Sequence, residues 1–347
     1  MLVGYRNNEM RDTLRKVAGK HRAYLQEESD RVEGLEIEMG RITMYYRGMD
    51  GVMKCESTLF RDNNLFDIGT FRNLRFLKIT QYGMCNKKGN YLHKVSDTLE
   101  SLYLTGVSKN SLEQLKRFPN LKSLTLIDTA FEEESISLVP KEIKEKLTYL
   151  FVNHLARPED LKDCVNLRYL EADHIENKAE TEIVFPNLEY LRTKRIDKLC
   201  LSADQFPKLK RLDVGNQQGV VDLQKVSQIK SIRELSLQGN SLFDISELEK
   251  MSLTVLELSN NMIEDMSPLA GHKDMKYLSI SSNPVTDISF IQEMKELELF
   301  QFDDTWVEDL SVLKEMKGIK ELGISKNLLK TEKDKELVSH IERVLER

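Results

Sequence analysis

The sequence predicts an α/β solenoid of about twelve repeats, a curved right-handed superhelix with a parallel sheet on its concave face. Three observations carry that expectation: apolar residues recur at fixed offsets, copies of the pattern follow one another at a near-constant interval, and an asparagine closes many of them. In chain order, residues 1–31 are expected to form an N-terminal helical cap and 32–73 degenerate first repeats or more of the cap. Residues 74–330 form the solenoid, and 331–347 a C-terminal capping helix.

The template is clearest toward the C-terminus. Segments 232–240, 253–261, 275–283 and 319–327 read L-x-x-L-x-L-x-x-N, with Leu, Ile or Met at the apolar places. Segment 297–305 keeps the apolar places and ends in Thr305. These copies begin at 232, 253, 275, 297 and 319, in steps of 21, 22, 22 and 22. The central x-L-x-L-x alternates with period two, which specifies a short strand with leucines on one face and the intervening side chains on the other. The asparagine turns the chain, its amide bonding to backbone groups exposed at the corner. One repeat cannot cover its own leucines, so neighbours stack.

From the N-terminus, residues 9–29 carry Met10, Leu14, Val17, Tyr24 and Leu25 near helical spacing, an amphipathic helix that would cap the first repeat or recruit a partner. Val32, Leu35 and Ile37, and then Val52, Cys55 and Ser57, are faint copies of the template. Weaker copies start at Leu74, Leu99, Leu121, Leu147, Leu167, Leu188 and Leu209, in steps of 20 to 26. Tyr82, Val107, Thr129, Leu155, Ile175 and Ile196 stand at the asparagine place in the early copies, so no continuous ladder is expected there. Segments 108–118 and 156–164 read as helical on the outer face. At the end, Thr331 is an N-cap, and Leu337, Ile341 and Leu345 make a helical stripe.

Across residues 74–330 these copies resemble the leucine-rich-repeat family, most closely over 232–327. The second halves at 242–248, 263–269, 285–291 and 307–313 share an I-x-D-hydrophobic-S-x-L signature. It is similar to the SDS22-like and internalin-like short-repeat subclass. The resemblance implies a return path of 3₁₀ or extended segments, and two candidate functions: a regulatory subunit resembling the SDS22-type phosphatase regulator, or an internalin-like receptor-binding adhesin.

Composition narrows the field. With 40% hydrophobic and 31% charged residues, and only 7 Pro and 16 Gly, the chain can bury a core and is not disordered. A net charge of −6 argues against nucleic acid as the main partner. No segment approaches the roughly eighteen apolar residues of a membrane span, and the first residues lack a secretory apolar run, so a cytoplasmic protein is expected. Cys55, Cys85, Cys164 and Cys200 form no C-x-x-C pair and read as free thiols in a reducing compartment. There is no glycine-rich phosphate loop, G-x-S-x-G, H-E-x-x-H or kinase signature. The chain is therefore read as non-enzymatic, without cofactor or small-molecule substrate. His154 and His174 share the eighth place of adjacent repeats with Asp173 beside the second. A zinc site needs three or four ligands, so these read as a polar rim and no metal is expected.

The outward strand places hold the candidate site. Tyr149, Tyr169 and Tyr190 recur at the third place of consecutive repeats, flanked by Phe151, Glu171, Asp173, Arg192, Lys194, Arg211 and Asp213. Tyr and Arg are favoured at protein interfaces; the competing reading is that they merely cover a sheet. The expected function is a protein–protein interaction scaffold, monomeric alone, that holds a protein partner on the concave face without engaging membrane. Trp306, the only tryptophan, is expected to pack within its repeat.

Overall fold

The computed structural model describes residues 2–3, 8–18, 24–38, 40–48, 50–59, 66–80, 91–106, 109–127, 136–176, 184–196, 203–216 and 221–347. They belong to two compact units, Met1–Ala172 and Asp173–Arg347.

In the first unit, β1 (Leu2–Val3) pairs antiparallel with β2 (Tyr24–Leu25). Between them the helix Asn8–Ala18 buries Met10, Leu14 and Val17 and packs on β4 (Arg41–Arg47) and β5 (Met53–Leu59). The helix expected over 9–29 is thus not continuous: the described helix spans Asn8–Ala18, and Tyr24–Leu25 is strand. A second, short helix, Gln26–Ser29, is tied down by Gln26 Nε2 donating to the Thr70 carbonyl at 2.7 Å.

The faint copies at Val32 and Val52 meet different fates. β3 (Val32–Glu38) pairs in parallel with β6 (Phe76–Ile79), Leu35 against Leu77 and Ile37 against Ile79, which is the register of the repeats. The Val32 copy is therefore a true first rung. β4 and β5 instead run antiparallel to their neighbours, joined by turns at Gly40 (φ 73°) and Gly51 (φ 76°). The Val52 copy is no repeat, and its Cys55 is exposed. Period-two alternation fixes which side chains share a face and says nothing of strand direction. The Asp50–Gly51 pair was the available signal for a hairpin.

Beyond β6 the ladder is parallel and regular. Leu77, Leu102, Leu124 and Leu150 pair successively along β6, β7 (Ser101–Thr105), β8 (Ser123–Ile127) and β9 (Tyr149–Leu155), as do Ile79, Leu104, Leu126 and Val152. All eight are buried. The outer segment near 108–118 is helical over Lys109–Glu113 and Gln114–Arg117, whereas 156–164 forms only one 3₁₀ turn, Pro158–Leu161. β10 (Tyr169–Ile175) follows.

The second unit continues with β11 (Tyr190–Ile196), β12 (Arg211–Asp213), β13 (Glu234–Ser236), β14 (Val255–Glu257), β15 (Tyr277–Ser279), β16 (Leu299–Gln301), β17 (Glu321–Ile324) and β18 (Arg343–Glu346). From β11 to β18 every pair is parallel, with Leu191, Leu212, Leu235, Leu256, Leu278, Phe300, Leu322 and Val344 on successive rungs. The return path is 3₁₀: Ser246–Lys250, Ser267–Leu269, Ser289–Glu293 and Ser311–Glu315. The D-x-S pair of the signature explains why. Asp244, Asp265, Asp287 and Asp309 each accept from the backbone N–H of the serine two residues on, at 2.8 Å, which fixes the turn.

A left-handed corner occurs in the first unit at Gly106 (φ 64°) and recurs in the late repeats. At the eighth place Asn216, Gly239, Asn260, Ser282 and Asp304 are left-handed, with φ of 56°, 68°, 57°, 53° and 57°. Small polar residues and glycine bear that conformation at least cost. After it, the buried amides of Asn240, Asn261 and Asn283 form a ladder. Asn261 Nδ2 donates to Leu237 O (3.0 Å) and Leu258 O (2.8 Å), while its Oδ1 accepts from the N–H groups of Asn240 (2.9 Å) and Leu242 (3.0 Å). Thr305 keeps one such bond, to Phe302 O at 2.8 Å, and Asn327 leaves the ladder, exposed in the 3₁₀ turn Lys326–Leu328. In two repeats without the asparagine the strand runs on: β9 and β10 are seven residues long and bury Leu155 and Ile175 at the ladder place. Tyr82, Val107 and Thr129 lie outside the described residues.

At the C-terminus Thr331 and Asp334 form a capping box for the helix Glu332–Val338. The helix expected to reach 347 ends there. The open edge of β17 takes up 343–346 as β18, so Leu345 sits on a strand opposite Gly323.

Asn261→Ala should cost about 2–4 kcal/mol, because it removes bonds from several buried backbone groups at once; a fall in the urea midpoint checks this. His272 is buried with Nδ1 3.1 Å from Leu269 O, and burial holds its pKa below the usual imidazole range. Its folded form is neutral while the unfolded chain takes up a proton below about pH 6.5, so its stabilising share is complete above that pH and is lost as pH falls through it. Unfolding midpoints from about pH 8 to about pH 5 should decline, and His272→Gln should flatten the decline.

Candidate functional site

Alternation along each strand turns leucines inward and leaves the third and fifth places of the repeat on the opposite, solvent-facing side of the sheet. In the first unit that face carries Tyr149 and Phe151 on β9, both half-buried, and Tyr169 and Glu171 on β10. Tyr169 is 40% exposed. The Tyr149 hydroxyl donates to Glu171 Oε1 at 3.3 Å, and the Arg168 guanidinium lies 5.8 Å from the Tyr169 ring centroid. The structure thus joins two of the predicted residues by a hydrogen bond while leaving an aromatic ring presented. His154, on β9, and His174, on β10, are half-buried.

The same face of the first unit holds a cluster that the repeat pattern did not disclose. Lys78 reaches both Glu36 and Glu38 and lies 5.3 Å from the Tyr103 ring centroid. The Tyr45 hydroxyl donates to Glu36 Oε2 at 2.7 Å, which, with burial, pushes its pKa up to about 12. Lys78 and Tyr103 stood at outward places of the template, but Tyr45 comes from the antiparallel β4 and Glu36 from the faint first rung.

In the second unit the predicted residues interlock. Lys194 Nζ is 2.7 Å from Asp173 Oδ1, Arg192 Nε 3.5 Å from Asp213 Oδ2, and Arg211 Nη1 3.4 Å from Glu234 Oε2. Arg211 also lies 5.1 Å from the Tyr190 ring centroid. Farther along, the face is satisfied within itself. The Tyr277 hydroxyl donates to Glu257 Oε2 at 2.9 Å, Ser259 and Ser279 share a 2.6 Å bond, and Ser281 donates to Asp303 at 2.8 Å. Burial and the Glu257 charge raise the Tyr277 pKa, so its phenol stays protonated.

Outside the sheet face, burial pushes the Cys164 thiol up to about 12, which keeps it protonated and unreactive at neutral pH. Cys55 is exposed, and Cys85 and Cys200 lie outside the described residues. Trp306 does not pack within its repeat. It is 67% exposed, because the place after the ladder points outward while Val307 turns in.

Comparison with known proteins gives the fold. Residues 252–293 match the family model for leucine-rich repeats (two copies). No curated protein sequence matches the chain. Among solved structures it is similar to an internalin from Listeria monocytogenes, with a TM-score of 0.54 and 16% identity over 99% of this chain and 90% of that one. It is similar to a repeat protein of Leptospira interrogans, with a TM-score of 0.57 and 19% identity over 80% of this chain and 79% of that one. It also resembles a chain of the mouse RP105/MD-1 complex, with a TM-score of 0.57 and 18% identity over 80% of this chain and 56% of that one.

The ion pairs of the sheet face are solvent-exposed on at least one side, so they should add little stability. Lys194→Ala and Arg192→Ala are each expected to shift unfolding by less than about 1 kcal/mol in chemical denaturation. A larger loss would mark these side chains as structural.

Proposed function

Starting from a chain built of leucine-rich repeats, we propose that it is a non-enzymatic scaffold that holds a protein partner against the exposed face of its sheet, the concave side of the solenoid. The observation that carries this reading is the Tyr190–Arg211 stack with the Arg192–Asp213 pair on β11 and β12. Aromatic and guanidinium groups fixed on rigid strands lose little side-chain freedom when a partner covers them. Tyr149, Phe151, Tyr169 and Glu171 offer the same chemistry in the first unit, and Asp173 and Lys194 extend it in the second. The mouse chain of this fold is itself held in a complex, that of RP105 with MD-1. The same reading sets the scaffold in a reducing, cytoplasmic compartment, where an exposed thiol such as Cys55 stays reduced.

A stoichiometric protein partner should co-purify from native lysate. Tyr169→Ala tests the first unit and Arg192→Ala with Arg211→Ala the second; at least one should release the partner while circular dichroism stays unchanged. Retention of the partner by both variants discards the sheet face as its seat.

A further inference from the structure

In the second unit, segments that follow successive corners run beside one another. The Met262 N–H donates to Leu242 O at 2.7 Å and the Trp306 N–H to Val285 O at 2.9 Å. Leu242, Ile263, Val285 and Val307 point into the core, so the residues on either side of each point out. Two outward columns result. Ser241, Met262, Pro284 and Trp306 form the first; Phe243, Glu264, Thr286 and Glu308 form the second.

Two independent features of this strip point to a ligand. Phe243 is 77%, Met262 56% and Trp306 67% exposed. Single exposed apolar residues are ordinary, but here Met262 and Trp306 share one column, two repeats apart, Phe243 stands in the column beside it, and Trp, Met and Phe are the residues that interfaces favour. The second feature is charge. Segments 241–244, 262–265, 284–287 and 306–309 contain Asp244, Glu264, Asp265, Asp287, Glu308 and Asp309 and no lysine or arginine. The serine N–H groups that bind Asp244, Asp265 and Asp309 hold these three carboxyls below the usual range.

We propose that this edge strip is a second docking surface, separate from the sheet face, and that its occupant is a lysine- or arginine-bearing peptide segment with apolar anchors. An exposed indole with a carboxylate two residues away suits a guanidinium or ammonium, which gains from the ring face and the acid together. Anionic lipid surfaces and nucleic acids meet like charge here and are repelled. Glu264 and Glu308, unlike the aspartates, close no turn, so they can be reversed without undoing the return path.

Trp306 is the only tryptophan, so its emission reports on this strip alone. A random peptide library panned against the full chain should enrich sequences with an excess of Lys and Arg beside apolar residues. An enriched peptide, once synthesised, should shift Trp306 emission to the blue, saturably, and bind roughly tenfold more weakly at high salt. Glu264→Lys with Glu308→Lys should weaken it by roughly tenfold or more, and Phe243→Ser with Met262→Ser should do likewise at unchanged circular dichroism. Arg192→Ala with Arg211→Ala should leave it bound, which separates this surface from the sheet face. The proposal is overturned by enriched peptides without basic excess, by undiminished binding to the charge-reversed variant, or by an emission shift that follows protein concentration alone, which would make a second copy the occupant.

Discussion

Leucine set against leucine in parallel register is the constraint from which the rest of the chain takes its form. Each repeat holds apolar residues at the fourth and sixth places, and a strand can cover them only if the next strand presents the same places at the same height. A slip of one residue would turn every leucine outward and every polar side chain inward. Register is therefore held at both ends of the strand. The asparagine ladder and left-handed corner fix one side, and the aspartate-capped 3₁₀ turn fixes the other.

That double restraint explains how much the sequence disclosed. Between 232 and 313 the leucines, the asparagines and the D-x-S pairs all name the same repeat, and strand, corner and turn fall where the spacing puts them. The repeats of β9 and β10 lack the asparagine, and each strand runs on for seven residues. The antiparallel β4 and β5 were hidden because alternation is blind to direction. The terminal helix gave way to β18 because an open strand edge competes for any nearby β-branched segment, and no local pattern records that competition.

The outward residues were legible in a different way. Template places showed which side chains would face solvent, and the pairs Asp173–Lys194 and Arg192–Asp213 follow from neighbours in register. Tyr45, which reaches Glu36 from the unforeseen hairpin, had no place in the template. Trp306 was misread because a large aromatic invites burial, whereas its neighbour Val307 already fills the inward place. The core obeys one rule throughout, and what distinguishes this chain is written at places where the core makes no demand.

The left-handed eighth residue has a consequence for how such a chain can grow. Because the corners at Asn260 and Ser282 are each closed by a short polar residue and the amide after it, a span of about twenty-two positions there is a self-terminated cassette. Gene duplication could insert or remove whole cassettes without disturbing the geometry on either side.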